Sequence, residues 1–106
     1  MLKKRYIKTR KVCKVTFIVP KKELPDDVEV KTIHLVGDFN QWDETATEMV
    51  QNSKGEYRFE LDLKPDSEYQ YRYLINGETW YNDWAADLYY ANRRGGDNCV
   101  VLTVSE

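Results

Sequence analysis

The chain holds one histidine, His34, and two cysteines, Cys13 and Cys99, among 106 residues. Two cysteines far apart in sequence, with no Cys or His partners at ligand spacing, do not make a zinc site. Each lies in a strand-like run, where a reducing compartment leaves it a small apolar side chain, and the two approach one another only if the first and last strands pair. A lone histidine without a GxSxG serine excludes the usual nucleophile triads. Gly95-Gly96 leads into a strand and not a helix, so no phosphate-cradling loop is present. No apolar run reaches the ~20 residues of a membrane span, and residues 1–19 contain no apolar core followed by a small-residue cleavage site. No cofactor, metal or membrane partner is expected, and the expectation is a soluble, cytoplasmic monomer.

Acidic residues are also missing from the beginning of the chain. Lys3, Lys4, Arg5, Lys8, Arg10, Lys11 and Lys14 precede the first acid, Glu23, whereas from residue 15 onward 9 bases face 18 acids. A body that negative is a poor nucleic-acid surface, because phosphate binding needs a basic face that releases counterions. Residues 1–11 therefore read as a solvated basic extension, and residues 12–106 as a single domain.

No segment shows a helical apolar period, and the alternation of strands dominates. Cys13, Val15, Phe17 and Val19 share one face of a strand over residues 12–19, closed by Pro20. A second strand is expected over Val28 to Val36, and a short edge piece near Glu48-Met49-Val50. Tyr57, Phe59, Leu61 and Leu63 alternate with Arg58, Glu60 and Asp62. Tyr69, Tyr71, Tyr73 and Ile75 alternate with Gln70, Arg72 and Leu74. Asn76-Gly77 is a strong type I′ hairpin signal, since both central residues need positive φ, and it sends Glu78 to Tyr81 back antiparallel. Residues 82–97 read as a loop, and Val100 to Val104 as the last strand. About seven short strands with turn signals between them predict an all-β, immunoglobulin-like antiparallel sandwich.

Candidates for chemistry are few. Asp38, Asp43, Glu44, Asp83 and Asp87 lie near aromatic segments, but a domain this thin does not enclose a substrate between two carboxylates, and no catalytic residue is assigned. The aromatics are more telling. In VGDFNQW, the strand stops at Gly37, Asp38 and Asn40, residues that favour turns, and two rings follow. Phe39 is directed under the strand, and Trp42 is either a ligand platform or a half-buried cap. Trp80 lies just past the hairpin turn, either facing outward or packing across the strand on Tyr73 or Tyr71. Flat rings stack on the apolar face of a pyranose, and Arg72, Asn98 and Asn40 are candidates for the orienting hydrogen bonds.

The succession VGDFNQW, YQYRYLINGETWYND and GGDNCVV resembles carbohydrate-binding module family 48, the glycogen-binding domain of the AMP-activated kinase beta subunit and the isoamylase N-terminal-like early-set domain of branching and debranching enzymes. The likeness spans residues 12–104 and is similar to short stand-alone bacterial proteins of this type, which often carry a glycoside-hydrolase family 13 label without the catalytic barrel. The resemblance implies non-catalytic binding of α-1,4-linked glucan, with Trp42 and Trp80 as stacking rings. It places Arg72 where the kinase domain has a sugar-contacting lysine, and Asn98 where an asparagine bonds the glucan. Arg93 and Arg94 stand where the kinase domains have an inserting apolar residue, and Gly96 where they have threonine. Trp84 follows Asp83 where proline is common, and either extends the aromatic surface or fills the core. The alternative is a protein-interaction domain that recruits a glycogen-metabolising enzyme through its aromatic surface or basic extension.

Overall fold

The computed structural model describes residues 1–93 and 96–105. Among these, nine strands form two antiparallel sheets: β1 (Leu2–Ile7), β2 (Val12–Val19), β3 (Ile33–Gly37), β4 (Val50–Gln51), β5 (Tyr57–Leu63), β6 (Glu68–Ile75), β7 (Thr79–Tyr81), β8 (Leu88–Ala91) and β9 (Asp97–Leu102). One sheet runs β1-β2-β5-β4, and the other runs β3-β6-β9-β8 with β7 also paired to β6. The two-sheet sandwich is the expected one, with β1 and β8 in addition to the seven strands anticipated.

The period-2 pattern dictates the core. Cys13, Val15, Phe17 and Val19 of β2 are buried with Tyr57 and Leu63 of β5, and face Ile33, Leu35, Tyr71, Tyr73, Ile75, Cys99 and Val101 of the other sheet. Phe17 meets the edge of Tyr71 at 5.0 Å between ring centroids and Phe39 at 5.5 Å. Phe39 thus has the structural role read for it in the sequence.

Four expectations about elements are corrected. The basic leader is not a solvated tail: residues 2–7 pair along β2, from Leu2 opposite Phe17 to Ile7 opposite Val12. Its run of Lys3, Lys4 and Arg5 hides the period because an edge strand buries little of either face. The second strand begins only at Ile33, because the Asn76 side chain satisfies the backbone ahead of it: Oδ1 accepts from the N–H groups of Lys31 and Thr32, and Nδ2 donates to the Glu29 carbonyl. The loop read over residues 82–97 contains β8, and β9 starts at Asp97 and not at Val100. Cys13 and Cys99 are both buried as free thiols, but they lie in different sheets, since β2 pairs with β1 and β5 while β9 pairs with β6 and β8.

Tyr71 and Tyr73 carry their hydroxyls into the interior, where both donate to Asp83 Oδ2 at 3.0 Å. Burial first, and then neighbouring negative charge that includes Asp83, raises both tyrosine pKa values, while burial pushes the Cys99 thiol up to about 11. Groups whose folded-state pKa is raised stabilise the fold fully below the unfolded value and lose that contribution as pH climbs above it. For the tyrosines the loss starts near the ordinary value of 10. A spectrophotometric titration is therefore expected to leave two of the eight tyrosines un-ionised until the protein unfolds. The urea midpoint is expected to be lower at about pH 11 than at about pH 8.

Candidate functional site

The central strand β6 organises the outer face of the five-stranded sheet. Along one edge it pairs with β3, and along the other it is shared end to end by β9, opposite Glu68 to Tyr71, and β7, opposite Tyr73 to Ile75. Arg72 sits at the junction. Continuing the two registers by one residue puts Asn98 and Asn82 across from it, and the even-numbered residues Gln70, Arg72 and Leu74 point away from the core. Leu74 is nevertheless buried, because its cross-strand neighbour in β7 is Trp80. That pairing decides between the two readings of Trp80: its neighbours are Leu74 and Arg72, not Tyr71 or Tyr73. The Arg72 guanidinium lies over the indole, 5.4 Å from its centroid, and Nε donates to Asn82 Oδ1 at 2.8 Å. Its terminal nitrogens keep their donors for other acceptors.

Trp42 reaches the same face from the turn after β3. Gly37 is needed there for close approach: a Cβ would lie 2.5 Å from the Gln70 carbonyl oxygen and 2.9 Å from Tyr71 Cβ. The next residue, Asp38, uses both carboxylate oxygens, Oδ1 accepting from Trp42 Nε1 at 2.8 Å and Oδ2 from the Gln70 backbone N–H at 2.7 Å. The carboxylate thus ties the ring to β6. With its one N–H donor occupied, Trp42 offers a ligand only its ring. The backbone N–H of Trp42 separately donates to the Gly37 carbonyl at 2.9 Å.

A polar chain closes the third side. Asn92 Nδ2 donates to Asn98 Oδ1 at 3.1 Å, and Asn98 Nδ2 donates to Gln70 Oε1 at 3.0 Å. An amide has two donors and two lone pairs, so Asn98 is held in orientation and retains one of each. Asn82 Nδ2 donates to the Asp97 carbonyl at 2.9 Å, which joins the Arg72 support to β9. Trp42, Glu44, Arg72, Trp80, Asn92, Arg93 and Asn98 together line an open cavity of about 470 Å³. Trp42, Trp80, Arg72 and Asn98, named from the sequence, are thus brought together.

Two named residues are not. Asn40 is built into the turn: Oδ1 accepts from the Gly37 N–H at 3.0 Å, and Nδ2 donates to the Leu35 carbonyl at 2.8 Å and Thr47 Oγ1 at 3.1 Å. Its amide hydrogens are both spent on the scaffold, so it shapes the loop under Trp42 and does not face the cavity. Trp84, 55% exposed, borders a separate crevice with Met1, Ile18, Pro20 and Asp83, away from Trp42 and Trp80. Arg93 lines the cavity, while Arg94 lies outside the described residues.

Sequence reasoning missed Gln70, Asn82 and Asn92, which hold the named residues in place. All three are ordinary surface amides in sequence, and only the strand register shows that they meet. It also missed Asp83. That carboxylate, 1% exposed, accepts from Tyr71, Tyr73 and the Ala85 N–H, and pairs at 2.5 Å with the amino group of Met1. Of the five acids considered for catalysis, Glu44 alone lines the cavity among the described residues. No group of His, Cys, Asp and Glu able to hold a metal occurs among them, and no helix is long and apolar enough to cross a membrane.

Asp38→Ala tests the tie on Trp42. The indole should become more mobile, seen as lower tryptophan fluorescence anisotropy and faster exchange of its Nε1 proton. The stability cost should stay within about 1–3 kcal/mol, the range for charge-assisted bonds. Unchanged indole exchange would show that the carboxylate does not hold the ring.

No curated protein sequence matches the chain. Residues 29–89, more than half of its length, match carbohydrate-binding module 48 (isoamylase N-terminal domain), and the chain belongs to that family of carbohydrate-binding modules.

Proposed function

We propose that this domain binds α-1,4-linked glucan of the glycogen, starch or malto-oligosaccharide type without cleaving it. The observation that carries the reading is the convergence of two indoles, the Arg72 guanidinium and the oriented Asn98 amide on a single open cavity. Two rings brought to one cavity from different elements suit a chain of at least two sugar units better than a monosaccharide, and a cavity open to solvent admits a polymer. Arg72, stacked on Trp80 and bonded through Nε, presents donors in a fixed fork suited to sugar hydroxyls. Among the described residues Glu44 is the one carboxylate that lines the cavity, which supports binding over glycoside hydrolysis, a reaction that in most families takes two.

Isothermal titration with maltoheptaose is expected to give saturable heat that falls off with maltose and vanishes with a β-linked glucan such as cellohexaose. No heat at millimolar maltoheptaose would sink the reading. A reducing-sugar assay on soluble starch is expected to stay at background.

A further inference from the structure

A second surface, unconnected to the sugar cavity, has features of its own. Strand β1 ends its sheet and pairs on one side with β2, and its other edge has no strand partner among the described residues. At six residues it is longer than β4, which closes the opposite edge with two. Met1 and Ile18 exchange hydrogen bonds in both directions at 2.9 Å, so the alternation of an antiparallel ladder makes Lys3, Arg5 and Ile7 the residues bonded to β2. The N–H and C=O groups of Leu2, Lys4 and Tyr6 therefore point outward along the free edge.

The charges along this edge are unevenly answered. Lys4 pairs with Asp87 at 2.6 Å, Arg10 with Asp62 at 2.5 Å, and Lys14 with Glu60 at 3.3 Å. Lys3 and Arg5, two residues apart and both exposed on one face, have no acidic partner among the described residues. They line a groove of about 260 Å³ with Lys4, Lys14, Thr16 and Glu60. Lys8 and Lys11, exposed in the turn to β2, extend the positive surface. Basic side chains on an edge strand ordinarily guard it against self-pairing. Here they also discriminate: a second copy laid on β1 sets like charges opposite one another, whereas an acidic strand sets opposite charges there.

We infer that the free edge of β1 is a docking site for an extended acidic protein segment, which adds as a further strand through the backbone of Leu2, Lys4 and Tyr6 while its alternate Asp or Glu side chains face Lys3 and Arg5. A duplex or single-stranded nucleic acid fits less well, because the rest of the chain carries 18 acids against 9 bases and repels a polyanion.

The test is fluorescence anisotropy of the full chain with capped peptides long enough to span β1. A peptide alternating Thr and Glu should bind, more weakly as salt rises. Its Thr-Lys counterpart, and an isomer with all Glu residues in one block, should not bind. N-methylation of every second residue on one edge of the Thr-Glu peptide leaves its charge intact and removes its donors, and should abolish binding. Lys3→Glu with Arg5→Glu should weaken the Thr-Glu peptide by roughly tenfold or more, the scale of two reversed cross-strand pairs, and admit the Thr-Lys peptide. Trp42→Ala should leave peptide binding unchanged. Equal binding of the N-methylated or blocked peptide, or equal displacement by a single-stranded oligonucleotide, would reduce the edge to a general polyanion patch and overturn the proposal. So would no binding at low salt. The peptide-side arms use the unmodified chain and stand even if the charge-reversed variant does not fold.

Discussion

Trp42→Ala and Trp80→Ala are each expected to weaken maltoheptaose binding by about 1–3 kcal/mol, a range taken from aromatic stacking on nucleobases, or roughly fivefold to more than a hundredfold. The two variants should differ in their side effects. Trp42 stands in a turn with Phe39, not Trp42, packed against the core, so its truncation should leave the unfolding midpoint close to wild type. Trp80 covers Leu74 and carries the Arg72 guanidinium, so its removal uncovers an apolar side chain and releases the arginine, and the midpoint should fall as well. Trp84→Ala is the control, because Trp84 borders a different crevice and should not change affinity. Titration calorimetry on the three variants, with urea unfolding alongside, separates the cases. Equal affinities across all of them would remove the stacking role from Trp42 and Trp80.

Asp83→Ala is expected to be the most destabilising substitution away from the apolar core. It removes the acceptor of two buried hydroxyls and the partner of the Met1 amino group, leaving Tyr71 and Tyr73 with unmet donors in the interior. Removing one partner from a buried charged network costs about 3–5 kcal/mol, a large share of the ~5–15 kcal/mol by which a domain of this kind is stable. Tyr73→Phe removes a single donor and leaves the carboxylate its other partners, so it should cost roughly 1–2 kcal/mol. Urea unfolding of the two variants checks the ordering. Equal losses would mean that the carboxylate matters only through Tyr73.

How much of this was legible in the chain depended on how local each cause was. The strands of β2, β5 and β6 bury one face, so their alternation was visible, and Asn76-Gly77 announced its hairpin through backbone conformation alone, with both residues at positive φ. The edge strands β1 and β8 were not visible, because they bury too little of either face to show a period. Trp42, Trp80, Arg72 and Asn98 were found as residue types suited to sugar binding. Their meeting was not readable, because it depends on β7 and β9 sharing one edge of β6, a matter of register between segments distant in sequence. Asn40 shows the opposite failure: an asparagine next to a candidate ring has the right chemistry for a ligand, yet the turn consumes it. Asp83 looked like a surface acid in a loop because nothing local reveals that two tyrosine hydroxyls from β6 end on it.

The backbone under Trp42 has one more implication. Gln41 and Trp42 stand consecutively in the left-handed region, both with φ of 57°, a conformation that costs non-glycine residues roughly 1–2 kcal/mol each. Two such residues persist only where their surroundings over-determine them. Here the Gly37 carbonyl, the Asp38 carboxylate and the Asn40 amide do so together. The indole is therefore posed during folding, before any sugar arrives, and a ligand meets a fixed plane that it does not have to freeze. The conformational entropy of arranging that ring is charged to the fold and not to the complex.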